Sequence, residues 1–256
     1  MRGLQWFNAL STGATNVEGL PDSLKVADGV LGEQAVRFIA VVTDAQNRFP
    51  RARNGEVGLL EGWGLAKAVD EAIEKGDKRP IIAIVDVPSQ AYGRREEALG
   101  IHQALAAAAD SYARARLAGH PVVALLVGKA MSGAFLAHGY QANRLIALRD
   151  PGVMVHAMGK ASAARVTLRS VEELEALAAS VPPMAYDIDS YASLGLLWKT
   201  LEVSQIEQPT ADDVAQVSDC LLQAIEDIHS PDLKGRLGAS NRAASSHVRQ
   251  LLREQW

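Results

Sequence analysis

The hydrophobic pattern of the chain alternates between short continuous apolar runs and longer segments with helical spacing. Apolar runs rich in β-branched residues are typical of strands covered on both faces. They predict strands at 35–44, 80–87, 121–128, 143–150 and 152–158. Between the first strands, apolar residues at helical spacing predict helices at 56–76 and about 96–118. This alternation from 35 to 158 predicts crossover connections and a mostly parallel sheet.

The two ends of the chain have different patterns. Residues 1–30 are polar and glycine-rich, and we expect an arm or loop there that could pack on a partner. From 169 onward the pattern is mainly helical, with a capping-box sequence at 170–173 and an amphipathic segment at 209–230. Since no linker interrupts the order, we predict one domain over 1–256, with an arm (1–30), a core (31–168) and a helical region (169–256).

Composition argues against nucleic-acid binding, a cysteine-based metal site and a membrane span. The 256 residues carry a formal charge of −4 without a Lys/Arg block, which disfavours nucleic-acid binding. The single cysteine, Cys220, excludes an internal disulfide and a cysteine-based metal site, and we expect it to be a small buried helix residue. Without an apolar run of about 18 residues or a signal-peptide pattern, the expectation is a soluble cytoplasmic protein with no membrane span.

Two strand-to-helix junctions carry the candidate chemistry. In "PVVALLVGKAMSGAFLAHGY" (121–140), the strand is predicted to break at Gly128 and a helix to begin at "SGAF". Unpaired N–H groups at a helix start attract negative charge, so Gly133 and Ala134 are candidate donors to an oxyanion. The second junction, at 85–101, brings in Ser89 and Gln90. From these residues alone, ordinary strand–helix packing remains the simpler interpretation.

The segment 85–136 resembles the C-terminal domain of acyl-CoA carboxyltransferases, which are members of the crotonase-like family. Two ordered motifs carry this likeness, and their residues are Asp86, Pro88, Gly93, Glu97, Gly100 and Ile101, followed by Lys129, Ala130, Gly133, Ala134 and Phe135. The whole chain is similar to gamma subunits of biotin-independent malonate decarboxylases, through "NRFPRARNGEVGL", "VDVPSQAYGRREEALGIHQALA", "VGKAMSGAFLAHGYQANRLIAL" and "PGVMVHAMGK". The resemblance implies a crotonase-like α/β fold of repeated strand-strand-helix units with a C-terminal helical region.

The resemblance also implies a reaction and its partners. A beta subunit would share the active site, and malonyl-S-acyl carrier protein would be decarboxylated to acetyl-S-acyl carrier protein and CO2. An alpha transferase subunit completes such enzymes. The implied site residues are the backbone of Gly133 and Ala134, with Ser132, Gln90 and Ser89 beside them. The chain itself would bind no metal or cofactor, and the substrate thioester would be that of a coenzyme-A-like prosthetic group on the carrier protein.

Particular residues modify this expectation. Ser89 and Gln90 stand where biotin enzymes usually carry Gly-Phe, and Ser132 replaces the first of two glycines, so the biotin-independent branch is favoured. Arg51 and Arg53 in "RFPRAR" are candidate contacts to the coenzyme-like arm. The same run could instead bind an acidic carrier protein or a partner subunit, or it could be a solvated loop.

Two alternative functions remain open. One is a stand-alone crotonase-like hydratase or hydrolase acting on CoA thioesters, and the other is a subunit that mainly scaffolds the beta chain. Ser132, Asp150 and His156 occur in the order of a hydrolase triad, but both glycines of the nucleophile elbow are missing. The histidines include no i,i+4 pair, so metal ligation is not predicted. Of these histidines, His156 is the one candidate acid or base.

Overall fold

A mixed sheet forms the centre of the computed structural model, which describes residues 1–237 and 239–256. Its eight strands in this part of the chain are β1 (Thr15–Asn16), β2 (Leu24–Leu31), β3 (Gln34–Val41), β4 (Ile81–Val87), β5 (Val122–Met131), β6 (Arg144–Leu148), β7 (Met154–His156) and β8 (Lys199–Leu201). They are ordered β1-β2-β3-β4-β5-β6-β8, and β7 pairs with the far end of β5.

Strand direction follows the sequence prediction. The pairs β1–β2 and β2–β3 are antiparallel, whereas all pairs from β3 onward are parallel, so the mostly parallel sheet is confirmed. Residues 81–85 of β4 are completely buried, as expected for a parallel strand covered on both faces.

Helices connect and cover the strands. They are α1 (Arg2–Leu10), α2 (Leu59–Lys75), α3 (Arg94–Ala98), α4 (Ile101–Leu117), α5 (Ser132–Ala137), α6 (Lys160–Val166), α7 (Val171–Ala178), α8 (Ile188–Ser193), α9 (Ala211–Glu226) and α10 (Ala243–Gln255). The helix predicted at 96–118 is broken in two, because Gly100 has a φ of +84°, a left-handed conformation that favours glycine. The predicted capping box is confirmed: Ser170 Oγ accepts from the Glu173 N–H, and the Glu173 carboxylate accepts from the Ser170 N–H.

The first thirty residues are not the arm or loop that their composition suggests. Residues 2–10 form α1, and Trp6 on this helix is completely buried in the core. Its indole N–H donates to the Ile206 carbonyl at 2.9 Å. Residues 24–31 form β2, which pairs along its whole length with β3. The helical signal is present in the sequence, since Gly3, Trp6, Phe7 and Leu10 have helical spacing and are all buried.

The C-terminal region adds both helices and a strand. The strand β8 extends the sheet beyond β6 and was not predicted. Cys220 is buried in α9, which confirms its interpretation as a small packing residue. Within 1–237 and 239–256, no helix has the length and apolar character needed to cross a membrane.

Candidate active site

Gly128 makes room for a carboxylate and does not end its strand. The strand β5 continues to Met131, because residues 129–131 pair with β7. A Cβ at Gly128 would lie 2.0 Å from Oδ1 of Asp86. The Asp86 carboxylate accepts from the N–H groups of Lys129 and Gly3, both at 3.1 Å. The predicted break at Gly128 is therefore wrong, and Asp86 instead ties β5 to α1 at this position.

The chain turns sharply at Ser132, where β5 meets the six-residue helix α5. Ser132 has a φ of +58°, in the left-handed region, which costs a non-glycine residue about 1–3 kcal/mol. Its hydroxyl donates to the Ala157 carbonyl at 2.8 Å, just beyond β7. The surrounding sheet therefore fixes this turn, and α5 starts directly at the carboxyl end of β5.

The first turn of α5 meets the loop that follows β4. The Gly133 N–H donates to Oε1 of Gln90 at 2.7 Å, so this donor is not bare as the sequence suggests. The Gln90 carboxamide is consequently fixed with its nitrogen, Nε2, as the remaining polar end. Within the described residues, Nε2 donates to no acceptor. Ala134 is completely buried, and its N–H lies in the first turn, where helices leave N–H groups without an intrahelical acceptor.

The loop that carries Gln90 is itself held by the chain ahead of α2. The Val57 N–H donates to the Ser89 carbonyl at 3.0 Å, and the Ala91 N–H donates to the Val57 carbonyl at 2.8 Å. The Ser89 hydroxyl donates to the adjacent Gln90 carbonyl at 2.8 Å. The structure thus brings the Gln90 side chain to the Gly133 N–H, whereas the Ser89 hydroxyl is directed at the neighbouring Gln90 carbonyl.

A largely apolar cavity of about 330 Å³ opens beside Ser132 and Gly133. Its apolar walls include Phe135, Leu136, Val155, Pro182, Leu194 and Leu196, and His156 and Tyr191 also line it. The residues from 182 to 196 come from the C-terminal region, and sequence reasoning missed them. Because they lie 50 to 64 positions after Ser132 in short elements, no local pattern indicates this contact.

The structure does not assemble the alternative hydrolase triad. The Asp150 carboxylate accepts from the Arg2 guanidinium and the Gly152 N–H, both at 2.7 Å. His156 lines the same cavity as Ser132, but its ring stacks on Tyr186, and its Nδ1 lies 2.9 Å from the Met158 carbonyl oxygen and 3.1 Å from the Met158 nitrogen. Burial lowers the pKa of His156, so the ring is neutral at pH 7. The Ser132 hydroxyl donates to a backbone carbonyl, and no base activates it.

Metal-ligating side chains do not cluster. In residues 1–237 and 239–256, no group of three or more His, Cys, Asp or Glu residues is arranged to hold a metal ion.

The two candidate arginines lie outside the cavity. Arg51 and Arg53 are exposed on the 47–58 loop, and neither lines the cavity. The Arg53 Nε donates to the Asn47 carbonyl at 3.0 Å. Glu61, completely buried, supports this loop by accepting from Asn47 Nδ2 at 2.7 Å and from the Gly58 N–H at 2.9 Å. Sequence patterns do not indicate this role of Glu61, because glycine occupies the N-cap position where a capping box normally has Ser or Thr.

Known proteins similar to this chain are malonate decarboxylase components and carboxyltransferases. The Malonomonas rubra protein malonyl-S-ACP:biotin-protein carboxyltransferase MADD is 36% identical over 235 residues, covering 88% of this chain and 77% of that protein. A chain of a Pseudomonas malonate decarboxylase hetero-tetramer in complex with coenzyme A is 71% identical, with a TM-score of 0.95 and coverage of 100% and 99%. A chain of the Pseudomonas MdcD-MdcE hetero-dimer is 68% identical, with a TM-score of 0.91 and the same coverage.

A more distant structure shows the fold. The transcarboxylase 12S core is 19% identical, with a TM-score of 0.63, covering 85% of this chain and 38% of that one. The expected carboxyltransferase-like α/β fold is thereby confirmed. The model of the family described as malonate decarboxylase gamma subunit matches residues 52–256. With this match and the full-length likeness to Pseudomonas malonate decarboxylase chains, the chain belongs to the malonate decarboxylase gamma subunit family.

Proposed function

We propose that this chain and a beta subunit together decarboxylate malonyl-S-acyl carrier protein to acetyl-S-acyl carrier protein and CO2. Within the candidate active site, one hydrogen bond supports this proposal. The Gln90 carboxamide is fixed by the Gly133 N–H and keeps its Nε2 donors for a ligand, beside an apolar cavity. The family and its malonate decarboxylase relatives supply the substrate class.

The reaction develops negative charge on the substrate, and the enzyme has to stabilise it. When the bond between the carboxylate carbon and the methylene carbon breaks, its electron pair stays on the methylene carbon and CO2 leaves. In a thioester, these electrons delocalise onto the carbonyl oxygen and form an enolate. A proton added to the methylene carbon then gives the acetyl thioester. The chemical demand on the protein is therefore to stabilise one enolate oxygen.

Gln90 and Ala134 are the groups that we assign to this oxygen. The Gln90 Nε2 is one donor, and the N–H of the buried Ala134 at the start of α5 is the second. Gly133 acts as a positioning residue, because its N–H fixes the amide, and Ser132 sets the turn. Donors that are preorganised in this way need no reorientation during the reaction, and losing one typically costs about 10²–10³ in rate.

The apolar cavity lies beside these donors, because Ser132 and Gly133 line it, although Gln90 and Ala134 do not. Its walls are mainly aliphatic and aromatic side chains, and the neutral His156 adds no charge. In such surroundings, a hydrogen bond to a developing anion is worth more than in water. The lining residues from 182 to 196 therefore offer apolar surface next to Ser132 and Gly133.

Partner subunits complete the proposed enzyme. Similar chains occur in an MdcD-MdcE hetero-dimer and in a hetero-tetramer with coenzyme A, which supports a beta subunit that shares the site. The carrier protein brings the substrate on a coenzyme-A-like prosthetic group, and an alpha transferase subunit loads it. We propose a cytoplasmic enzyme in which this chain holds no cofactor of its own.

Carboxyl transfer to a biotin protein is the second candidate, because the name of the Malonomonas rubra relative states that activity. Ser89 and Gln90, in place of the usual Gly-Phe of biotin enzymes, argue for direct release of CO2 instead. Reconstitution distinguishes the two. The chain is assayed alone and with its beta subunit on malonyl-S-acyl carrier protein, with and without a biotin carrier domain, following CO2, acetyl thioester and carboxybiotin.

We expect CO2 and acetyl thioester from the mixture of the two subunits, without a requirement for biotin. Activity of the beta subunit alone at the full rate would identify this chain as a scaffold. Activity of this chain alone that releases free thiol or a hydroxyacyl product would favour the solitary hydratase or hydrolase.

A further inference from the structure

His156 has a fixed ring with one nitrogen that no other protein group occupies. It is the last residue of β7 and pairs with Met131, directly before the turn at Ser132. Its ring stacks on that of Tyr186, with ring centres 3.9 Å apart and ring planes inclined by 13°. The half-buried His156 lines the cavity of about 330 Å³ together with Ser132 and Gly133. The position and orientation of this ring are therefore set by the sheet and by Tyr186.

The Met158 carbonyl group determines which ring nitrogen is left for a ligand. His156 Nδ1 lies 2.9 Å from this carbonyl oxygen, which also accepts from the Tyr186 hydroxyl at 2.8 Å. In a protonated ring both nitrogens are donors, so Nδ1 then donates to the Met158 carbonyl. Across residues 1–237 and 239–256, Nε2 makes no hydrogen bond. The Nε2–H of the protonated ring is consequently left for a molecule in the cavity.

The cavity offers few other groups that could donate a proton. The described residues that line it include no Asp, Glu, Lys, Arg or Cys. The Ser132 hydroxyl donates to the Ala157 carbonyl. Tyr140 and Tyr191 bring phenol groups to the wall, and a phenol is a weaker acid than an imidazolium. Burial of Tyr191 raises the pKa of its hydroxyl and weakens it further as an acid.

Charged side chains near His156 are engaged elsewhere. On the elements packed around it, they are Lys129 on β5, Lys160 on α6, Glu175 on α7 and Asp187 directly before α8. Lys160 pairs with Glu175 at 2.6 Å, and Asp187 accepts from the Ser190 N–H at 2.8 Å. The pKa of His156 is lowered by burial, against which the bond to the Met158 carbonyl acts, and no charged group contributes. A charge that enters the cavity therefore has a direct effect on the ring.

We propose that His156 Nε2 donates the proton that converts the thioester enolate into the acetyl group. This inference rests on the proposed function, in which loss of CO2 leaves an electron pair shared between the methylene carbon and the carbonyl oxygen. The Nε2–H bond breaks, its proton forms a C–H bond with this electron pair, and the ring becomes neutral. Solvent then returns a proton to the ring. One proton is thus consumed for each CO2 released, as the overall reaction requires.

The substrate itself favours the protonated ring. Without an anion nearby, His156 is neutral at pH 7, because burial lowers its pKa. The malonyl group carries a carboxylate, and an anion within a few ångströms of an imidazole stabilises its charged form. Binding of the substrate therefore promotes uptake of a proton by the ring. The proton is in the cavity before the bond to CO2 breaks.

The test is deuterium exchange into acetyl-S-acyl carrier protein, which does not depend on decarboxylation. In D2O, the neutral His156 ring in the complex with the beta subunit should remove a proton from the acetyl methyl group and return a deuteron. This exchange is the reverse of the proposed step, and mass spectrometry follows the label. The variant is His156→Gln. The matched control is His247→Gln, which removes an exposed histidine on α10.

We expect wild-type exchange to become faster as the pH rises and His156 loses its proton, because removal of the methyl proton needs the neutral ring. His156→Gln should exchange about 10²–10⁴ times more slowly, which is the usual contribution of a general acid or base, and should lack this pH dependence. The control variant keeps the wild-type rate and pH profile. Added imidazole should restore part of the exchange in His156→Ala, and such rescue separates a lost proton donor from a misfolded site.

Two results would overturn the proposal. Exchange by His156→Gln at the wild-type rate would show that another group moves the proton. Absence of exchange in a wild-type complex that releases CO2 would show that the enolate is protonated without His156. If the wild-type complex exchanges deuterium through His156 but releases no CO2 from malonyl-S-acyl carrier protein, the proposed function fails while the role of His156 in proton transfer stands.

Discussion

The Gly133 N–H donates a 2.7 Å hydrogen bond to Oε1 of Gln90, which lies 43 residues earlier in the chain. This bond determines which end of the carboxamide is left for a ligand. Donation to the oxygen also polarises the amide, which makes the Nε2 protons better donors. In the proposed reaction, the helix start would act on the substrate through the Gln90 side chain that it holds, as well as directly through the Ala134 N–H.

Replacing Ser132 by Ala distinguishes this account from a hydrolase. The hydrogen bond from Ser132 to the Ala157 carbonyl is lost, so the free energy of unfolding should fall by about 1 kcal/mol. Decarboxylation by the variant with its beta subunit should stay within about tenfold of wild type. A nucleophilic serine would instead lose on the order of 10⁶ in kcat, and a loss of that size in a folded complex would contradict the assignment.

Replacing Gly128 by Ala tests the junction between β4, β5 and α1. The new Cβ would lie 2.0 Å from Asp86 Oδ1, so the carboxylate must move and give up its bonds to the Lys129 and Gly3 N–H groups. We expect the free energy of unfolding to fall by about 3 kcal/mol, measured by denaturant titration. Gly159→Ala is the control, because no atom lies within 4 Å of its Cβ position. Equal stability of the two variants would show that Asp86 is not held as described.

Stability should depend on pH through His138, which is completely buried between Tyr112 and the Ile84 carbonyl. Burial lowers its pKa from 6.5 to about 4. Below pH 6.5 the unfolded chain binds a proton that the folded chain accepts only near pH 4. The free energy of unfolding should therefore fall by roughly 3 kcal/mol as the pH drops through this window, and this contribution is fully present above it.

The matched variant for this measurement is His138→Gln. It should be less stable than wild type at pH 7 but should lose less stability between pH 6.5 and pH 4. Carboxylates such as Asp28, whose pKa is lowered by its bonds to Arg37 and Lys75, also contribute less stability below about pH 5, but both proteins contain them, so their contribution cancels in the comparison. Identical pH profiles for the two proteins would rule out His138 as the source.

Much of the fold follows from local patterns, because the buried strands and the amphipathic helices carry clear periodicity. The apolar run that becomes β4 and the spacing that becomes α2 predict those elements within a few residues. The N-terminal helix was missed, since its polar and glycine residues obscure the short apolar stripe around Trp6. The strand β8 has three residues and depends on pairing with β6, so it has little local signal.

The candidate site could be predicted only in part. Sequence motifs indicated the Ser132–Ala134 junction and the Ser89–Gln90 loop as neighbours. They could not show that Gly133 already donates to Gln90, because side-chain direction depends on how the two loops are held. The bond from Ala91 to Val57 and the left-handed Ser132 set this geometry through tertiary contacts.

The role of Gln90 as an enolate donor is tested by the kcat of Gln90→Ala in the complex with the beta subunit, with CO2 release followed on malonyl-S-acyl carrier protein. Ser89→Ala is the control, since its hydroxyl bonds only the neighbouring carbonyl. If Gln90 donates to the enolate oxygen, the Gln90 variant should lose about 10²–10³ in kcat, while Ser89→Ala loses less than about tenfold. A kcat equal to or above wild type would contradict the account, because it would mean that Gln90 merely occupies the Gly133 N–H until the substrate displaces it.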